Sequence, residues 1–192
     1  MQRIFLALVL ATASFAVGCG TTMNEQTKNG NAAQPSPLKD PNLLLEQGDA
    51  FASAGDFTRA QQYFAAAISA GAKPTVVLPR LLKACIASGD LRLASEYAET
   101  ELARHPDDAH LRFVTGALHA QIGNRLDAKK HLVQAASELK ADPTVQFSVG
   151  AFFRDDLADK VEADPYFRAY LTLAPKGEHA AEAKASLMER VQ

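Results

Sequence analysis

Residues 48–64 read GDAFASAGDFTRAQQYF. Within this stretch Gly55 and Asp56 stop one helical pattern and start another. Gly ends a helix in the left-handed conformation without a Cβ penalty, and the Asp that follows accepts the free N–H groups of the next helix. A Gly followed by Asp or Asn returns at Gly89-Asp90 and Gly123-Asn124, 34 residues further on each time. Five residues after each Gly stands an Ala, at positions 60, 94 and 128. Self-similarity at a fixed period of this length is the mark of stacked repeats, each of them a unit that cannot bury its apolar face alone.

The period and its signature residues resemble the tetratricopeptide repeat (TPR) family. Its units carry a small residue in the middle of helix A, an aromatic three further on, an Ala early in helix B, an aromatic four after it and a Pro near the end. The first unit here has Gly48, Phe51, Ala60, Phe64 and, slightly late, Pro74. The second has Ala94 and Pro106, but Leu82 at the small site and Cys85 at the aromatic one. The third has Gly116, Ala128, Leu132 and a late Pro143, with His119 at the aromatic site. A fourth, degenerate unit has Gly150, Phe153, Ala163, Phe167 and Pro175, and its turn from Arg154 to Lys160 holds one extra residue. The resemblance implies an all-α, right-handed superhelical solenoid of helix hairpins, with repeats at about 41–74, 75–108, 109–142 and 143–176.

The pattern predicts helices at about 42–54, 57–70, 75–88, 91–104, 109–122, 125–140, 144–154 and 159–173, and no strand. A ninth, 178–191, is charged and poor in large apolar residues, as a terminal unit with a solvated outer face must be. It is expected to cap the array. Gly48 and Ala60 are small where helices A and B cross. Pro79 sits in a first helical turn if Thr75 is the cap, or else it delays the helix start.

Composition agrees with a single globular unit. Of 192 residues, 47% are hydrophobic and 22% charged. A net charge of −2 argues against a nucleic acid as the main partner. The two cysteines, Cys19 and Cys85, are too few for a disulfide framework or a Cys-based zinc site. Cys85 falls in mid-helix between helices A and B, where a thiol serves as a small buried hydrophobe.

Residues 1–18, MQRIFLALVLATASFAVG, set Arg3 before an apolar run that is too short to span a bilayer and reads as a secretory signal. The next residue is Cys19. Ala16-Val17-Gly18-Cys19 resembles the lipobox of bacterial lipoproteins, with Ala where Leu is commoner. That resemblance implies a diacylglycerol on Cys19, removal of residues 1–18 and acylation of the new amino terminus. Several acyl chains, at about 0.8 kcal/mol per buried methylene, hold a protein on a membrane almost permanently. Gly20, in place of Asp, resembles the class sorted to the outer membrane. Residues 20–40, GTTMNEQTKNGNAAQPSPLKD, hold almost no large apolar side chains and read as a solvated leash of roughly 25 Å root-mean-square span. The expected organisation is a signal at 1–18, a lipidated tether at 19–40 and a TPR-like domain at 41–192. Its expected place is the bacterial envelope, at the outer membrane and facing the periplasm.

Catalytic chemistry is not legible. His105 and His110 flank Pro106-Asp107-Asp108, but a helix start separates them, so they share no face and no metal site is expected there. His119 takes an internal aromatic position, that of a packed residue. No Ser, His and Asp set, HExxH or phosphate loop is present. Neither enzymatic activity nor a cofactor beyond the lipid on Cys19 is expected.

Function is therefore sought on the concave face, which helices A line in the TPR family. Positions five, nine and twelve of each repeat form one helical stripe. They are Leu45, Asp49 and Ala52; Pro79, Lys83 and Ile86; Phe113, Ala117 and Ala120; Phe147, Ala151 and Arg154. Phe113 and Phe147 are expected to project side by side as anchors, with Lys83 and Arg154 supplying positive charge. An apolar segment with acidic flanks would suit that groove. In the alternative, the two rings pack on the next repeat or the capping helix. Leu45 and Asp49 stand where chaperone-binding TPR proteins carry a basic residue and an Asn, so a carboxylate clamp of that type is absent. The array resembles TPR lipoproteins that serve pilus and secretin assembly, outer-membrane protein insertion or motility. A lipid-anchored protein–protein interaction scaffold is the function this implies. A non-catalytic accessory subunit of a peptidoglycan enzyme is the second class.

Overall fold

A computed structural model describes residues 40–188. The expected signal, Cys19 and the tether to residue 39 lie outside the described residues, as does the end of the expected capping helix, residues 189–192. Eight helices succeed one another as hairpins: α1 (Pro41–Ser53) with α2 (Phe57–Ser69), α3 (Pro74–Ser88) with α4 (Leu91–Arg104), α5 (Ala109–Gln121) with α6 (Arg125–Glu138), and α7 (Pro143–Ala151) with α8 (Lys160–Leu173). A short α9 (Ala180–Ala185) follows. Among the described residues there is no strand, and no helix is long and apolar enough to cross a membrane.

The turns are coded as the sequence indicates. Gly55, Gly89 and Gly123 have φ of 78°, 80° and 79°, the left-handed region in which Gly carries no Cβ penalty. After them Asp56 accepts from the Arg59 N–H at 3.0 Å, Asp90 from Leu93 at 3.3 Å and Asn124 from Asp127 at 3.5 Å. Asp40, Asp108, Asp142 and Asp159 cap α1, α5, α7 and α8 in the same way. Within the four hairpins the exception is α3. Thr75 is not its cap; the helix starts at Pro74, which follows Lys73 and needs no N–H partner in the first turn. Pro79 therefore falls in the second turn, inside the helix, where it has no N–H to give the Thr75 carbonyl.

Small residues sit where the helices cross. A Cβ built on Gly48 would lie 2.5 Å from the Phe64 ring; one on Gly116 would lie 2.9 Å from Leu132, and one on Gly150 3.0 Å from Phe167. In the second hairpin Leu82 and Cys85 fill the equivalent space beside Ala94 and Ala98, and all four are buried. Burial pushes the Cys85 thiol up to about 11.

Two expectations near the C-terminus need correction. The helix expected to reach residue 154 leaves α geometry after Ala151. Phe152–Asp156 widens into a π turn, which absorbs the extra residue of the fourth repeat, and the Leu157 N–H donates to the Phe152 carbonyl at 3.2 Å. Ala158, at φ 54°, then occupies the left-handed place that Gly holds in the other turns. The second correction concerns the cap: among the described residues of 178–188, only Ala180–Ala185 is helical. The Tyr170 hydroxyl accepts from the His179 N–H at 3.0 Å, and Ala180 and Ala183 turn inward. Beyond α9 the chain is tied instead of wound: the Met188 N–H donates to Asp164 at 2.8 Å, and Arg168 donates to the Met188 carbonyl at 3.0 Å.

The core divides into two apolar clusters. One gathers α1–α4 and Leu118; the other gathers α6–α9. Between them α5 faces both ways. Buried polar side chains collect on α4, α5 and α6, where one cluster gives way to the other: Ser95, Glu101, Arg112, Thr115, His119 and His131.

Candidate functional site

Helices α3 and α5 are the A helices of adjacent repeats, and their facing sides leave a cleft of about 950 Å³. The end of α4 and residues 105–108 close one flank. Leu78 and Leu82 of α3 and Leu111 and Val114 of α5 make its apolar lining. Ile86 lines it too and remains 45% exposed. Lys83, Arg104, Asp107 and Asp108 bring charge of both signs to its rim, beside His105 and His110. A concave apolar floor with a few convergent polar groups is the usual form of a binding site.

One polar group lies inside that rim. The Glu101 side chain is buried, and Arg104 holds its Oε2 at 3.2 Å. Its Oε1 has no hydrogen-bond partner among the described residues. His105 Nε2 is 3.3 Å from Oε1 but lacks the alignment of a hydrogen bond. A buried acceptor left unsatisfied costs about 1–3 kcal/mol.

The predicted stripe does not form one continuous groove. Lys83 and Ile86 line the α3–α5 cleft, whereas Phe113, Ala117 and Phe147 border a separate hollow of about 290 Å³ between α5 and α7. Leu45 packs against the N-terminal apolar cluster. Asp49 pairs with Arg80 of α3 at 3.2 Å. Neither lines the cleft.

Phe113 and Phe147 are not equivalent anchors. Phe113 is half-buried, but Phe147 is 9% exposed and stacks on His179, centroids 4.1 Å apart and planes 11° apart. Phe167 and Tyr170 close on it at 5.7 and 5.3 Å. The segment before α9 folds back onto α7 and takes this ring into the core. Arg154 is likewise withdrawn from the groove. It bonds Asp155 and Glu182, each at 2.7 Å, and donates to Ser186 at 2.6 Å. These carboxylates push its already high pKa further up. The positive charge expected of Arg154 serves the cap instead.

Leu78, Ala87, Glu101, Arg104, Leu111 and Val114 are the cleft residues that the sequence did not single out. They fall outside the stripe because the cleft lies between two A helices and takes in the end of a B helix. The connection His105-Pro106-Asp107-Asp108, which joins α4 to α5 and lines the cleft, was the available signal.

No family model matches the sequence, and no curated protein matches it. Solved structures do match. The chain is similar to YrrB, a TPR protein with an unusual peptide-binding site, at TM-score 0.66 and 16% identity over 77% of this chain and 75% of that one. It is similar to MamA from Desulfovibrio magneticus RS-1 at TM-score 0.63 and 19% identity, over 73% of this chain and 78% of that one. A tetratricopeptide repeat protein from Parabacteroides merdae matches at TM-score 0.67 and 19% identity, over 76% of this chain and 58% of that one. With the caps, crossings and 34-residue period in place, the chain folds as an all-α tetratricopeptide-repeat solenoid.

Proposed function

We propose that this chain is a lipid-anchored interaction scaffold of the bacterial envelope, and that it holds an apolar segment of an envelope protein in the α3–α5 cleft. The observation that carries this reading is the cleft itself: about 950 Å³, apolar-lined, with Ile86 open to solvent. The peptide-binding site of the structurally similar YrrB supports it. The anchor rests on the lipobox-like Ala16–Cys19 and the polar residues after it. The finer reading is a part in assembling or docking a pilus, a secretin or another outer-membrane machine. Support for it is the resemblance of anchor plus repeat array to lipoproteins with those roles.

Two substitutions test the halves of this proposal separately. Cys19→Ser is expected to release the protein from the membrane fraction or leave an uncleaved precursor; normal fractionation with normal palmitate labelling would contradict the anchor. Ile86→Glu changes a solvent-exposed side chain, so helical content and membrane attachment are expected to persist. A buried anchor at an interface carries about 2 kcal/mol or more, so partner affinity is expected to fall roughly 30-fold or further. Undiminished capture of the partner by Ile86→Glu would rule out the cleft.

A further inference from the structure

We propose that Glu99, His119 and His131 form a binding site for a divalent transition-metal ion of the zinc class, at the junction of the second and third repeats. The three residues come from three helices, α4, α5 and α6, and share no local spacing in the chain. Folding nevertheless brings one potential ligand atom of each within 4.8 Å of the others. Both imidazoles point Nε2 at the same oxygen: Glu99 Oε1 is 2.7 Å from His119 and 3.3 Å from His131. The rings stack almost in parallel, 7° apart with centroids at 5.8 Å.

Two of the three ligand separations are close to those around a metal. With bonds of about 2.0–2.1 Å to nitrogen and oxygen, neighbouring ligands on a tetrahedral zinc ion stand about 3.3 Å apart. The Glu99–His131 pair already has that separation, and the Glu99–His119 pair needs to open by about 0.6 Å. Two nitrogens and one carboxylate oxygen select zinc and its neighbours over calcium and magnesium, which take oxygen ligands. Access is provided as well. Both histidines are more than nine-tenths buried, while the Glu99 side chain is 42% exposed and opens the group to solvent.

When an ion takes Nε2, each neutral ring carries its proton on Nδ1 instead. Asn124 Nδ2 lies 3.4 Å from that nitrogen of His119. A bound ion would clip α4 to the α5–α6 hairpin across the buried polar layer between the two apolar clusters.

The test uses the full-length protein, purified in detergent and stripped with a chelator. Zinc sulfate is titrated in by calorimetry at pH 7.5, and thermal melts are followed by circular dichroism with and without zinc. One zinc ion per chain is expected, with a raised melting temperature because the ion binds the folded state, and calcium is expected to give neither effect. Glu99→Gln should weaken zinc binding at least roughly tenfold and His131→Gln should abolish it. Ions held by His105, His110 or His179 would survive both changes. Should His131→Gln fail to fold, Glu99→Gln on the half-exposed residue decides alone. No zinc uptake by the wild type, or wild-type affinity in Glu99→Gln, overturns the proposal.

Discussion

Phe147→Ala distinguishes a core ring from a groove anchor. The side chain is 9% exposed and packs against His179, Phe167 and Tyr170. Truncating a buried Phe to Ala costs about 3–5 kcal/mol, of which the aromatic contacts account for about 0.5–1.5 kcal/mol. The slight exposure places this site in the lower half of the range, at about 3–4 kcal/mol. For a domain of this size each kcal/mol moves the melting temperature by about 2–4 °C, so a fall of roughly 6–16 °C is expected. Thermal melts of the full-length protein by circular dichroism measure it, with Phe113→Ala as the milder comparison. A fall below about 2 °C in Phe147→Ala, together with loss of partner binding, would refute the assignment of this ring to the core.

Two further substitutions and one labelling experiment address the fold. Gly48→Ala drives a methyl to 2.5 Å from the Phe64 ring and should destabilise by about 1–3 kcal/mol on urea titration; unchanged stability would mean that the α1–α2 crossing is looser than described. Ala158→Gly relieves a left-handed residue at φ 54° and should stabilise by about 0.5–1 kcal/mol, which a lowered melting temperature would contradict. Cys85, buried and with its pKa raised to about 11, is protonated at pH 8 and should react with a thiol reagent only after denaturant is added. Rapid labelling of the native protein would place it at the surface.

What was legible in the sequence was local and periodic. Gly55, Gly89 and Gly123 mark turns because few other residues adopt that backbone, and Asp56, Asp90 and Asn124 mark helix starts because their side chains reach the first-turn N–H groups. The small sites at Gly48, Gly116 and Gly150 followed from the same register. The cap was harder to read: residues 178–191 have helical composition, but the ties from Tyr170, Asp164 and Arg168 come from α8 and give no local signal. The candidate site was half legible. Lys83 and Ile86 lie in the cleft as the stripe requires. Phe147 and Arg154 share their periodicity but are captured by the residues that follow the fourth repeat. Glu99, His119 and His131 converge from three helices, so no spacing in the chain announces them. His119 read as a packed residue, and it is one; its partners depended on the packing of α4 and α6.

The most direct test of the central claim is site-specific photo-crosslinking in cells. A benzophenone side chain is placed at residue 86, in the cleft, and in a second strain at residue 126, where Leu126 of α6 is 80% exposed and away from the cleft. A discrete adduct with one envelope protein from position 86, and none from position 126, is the predicted result. An adduct from position 126 alone, or none from position 86 while the protein still co-purifies with its partner, would contradict the cleft as the binding surface.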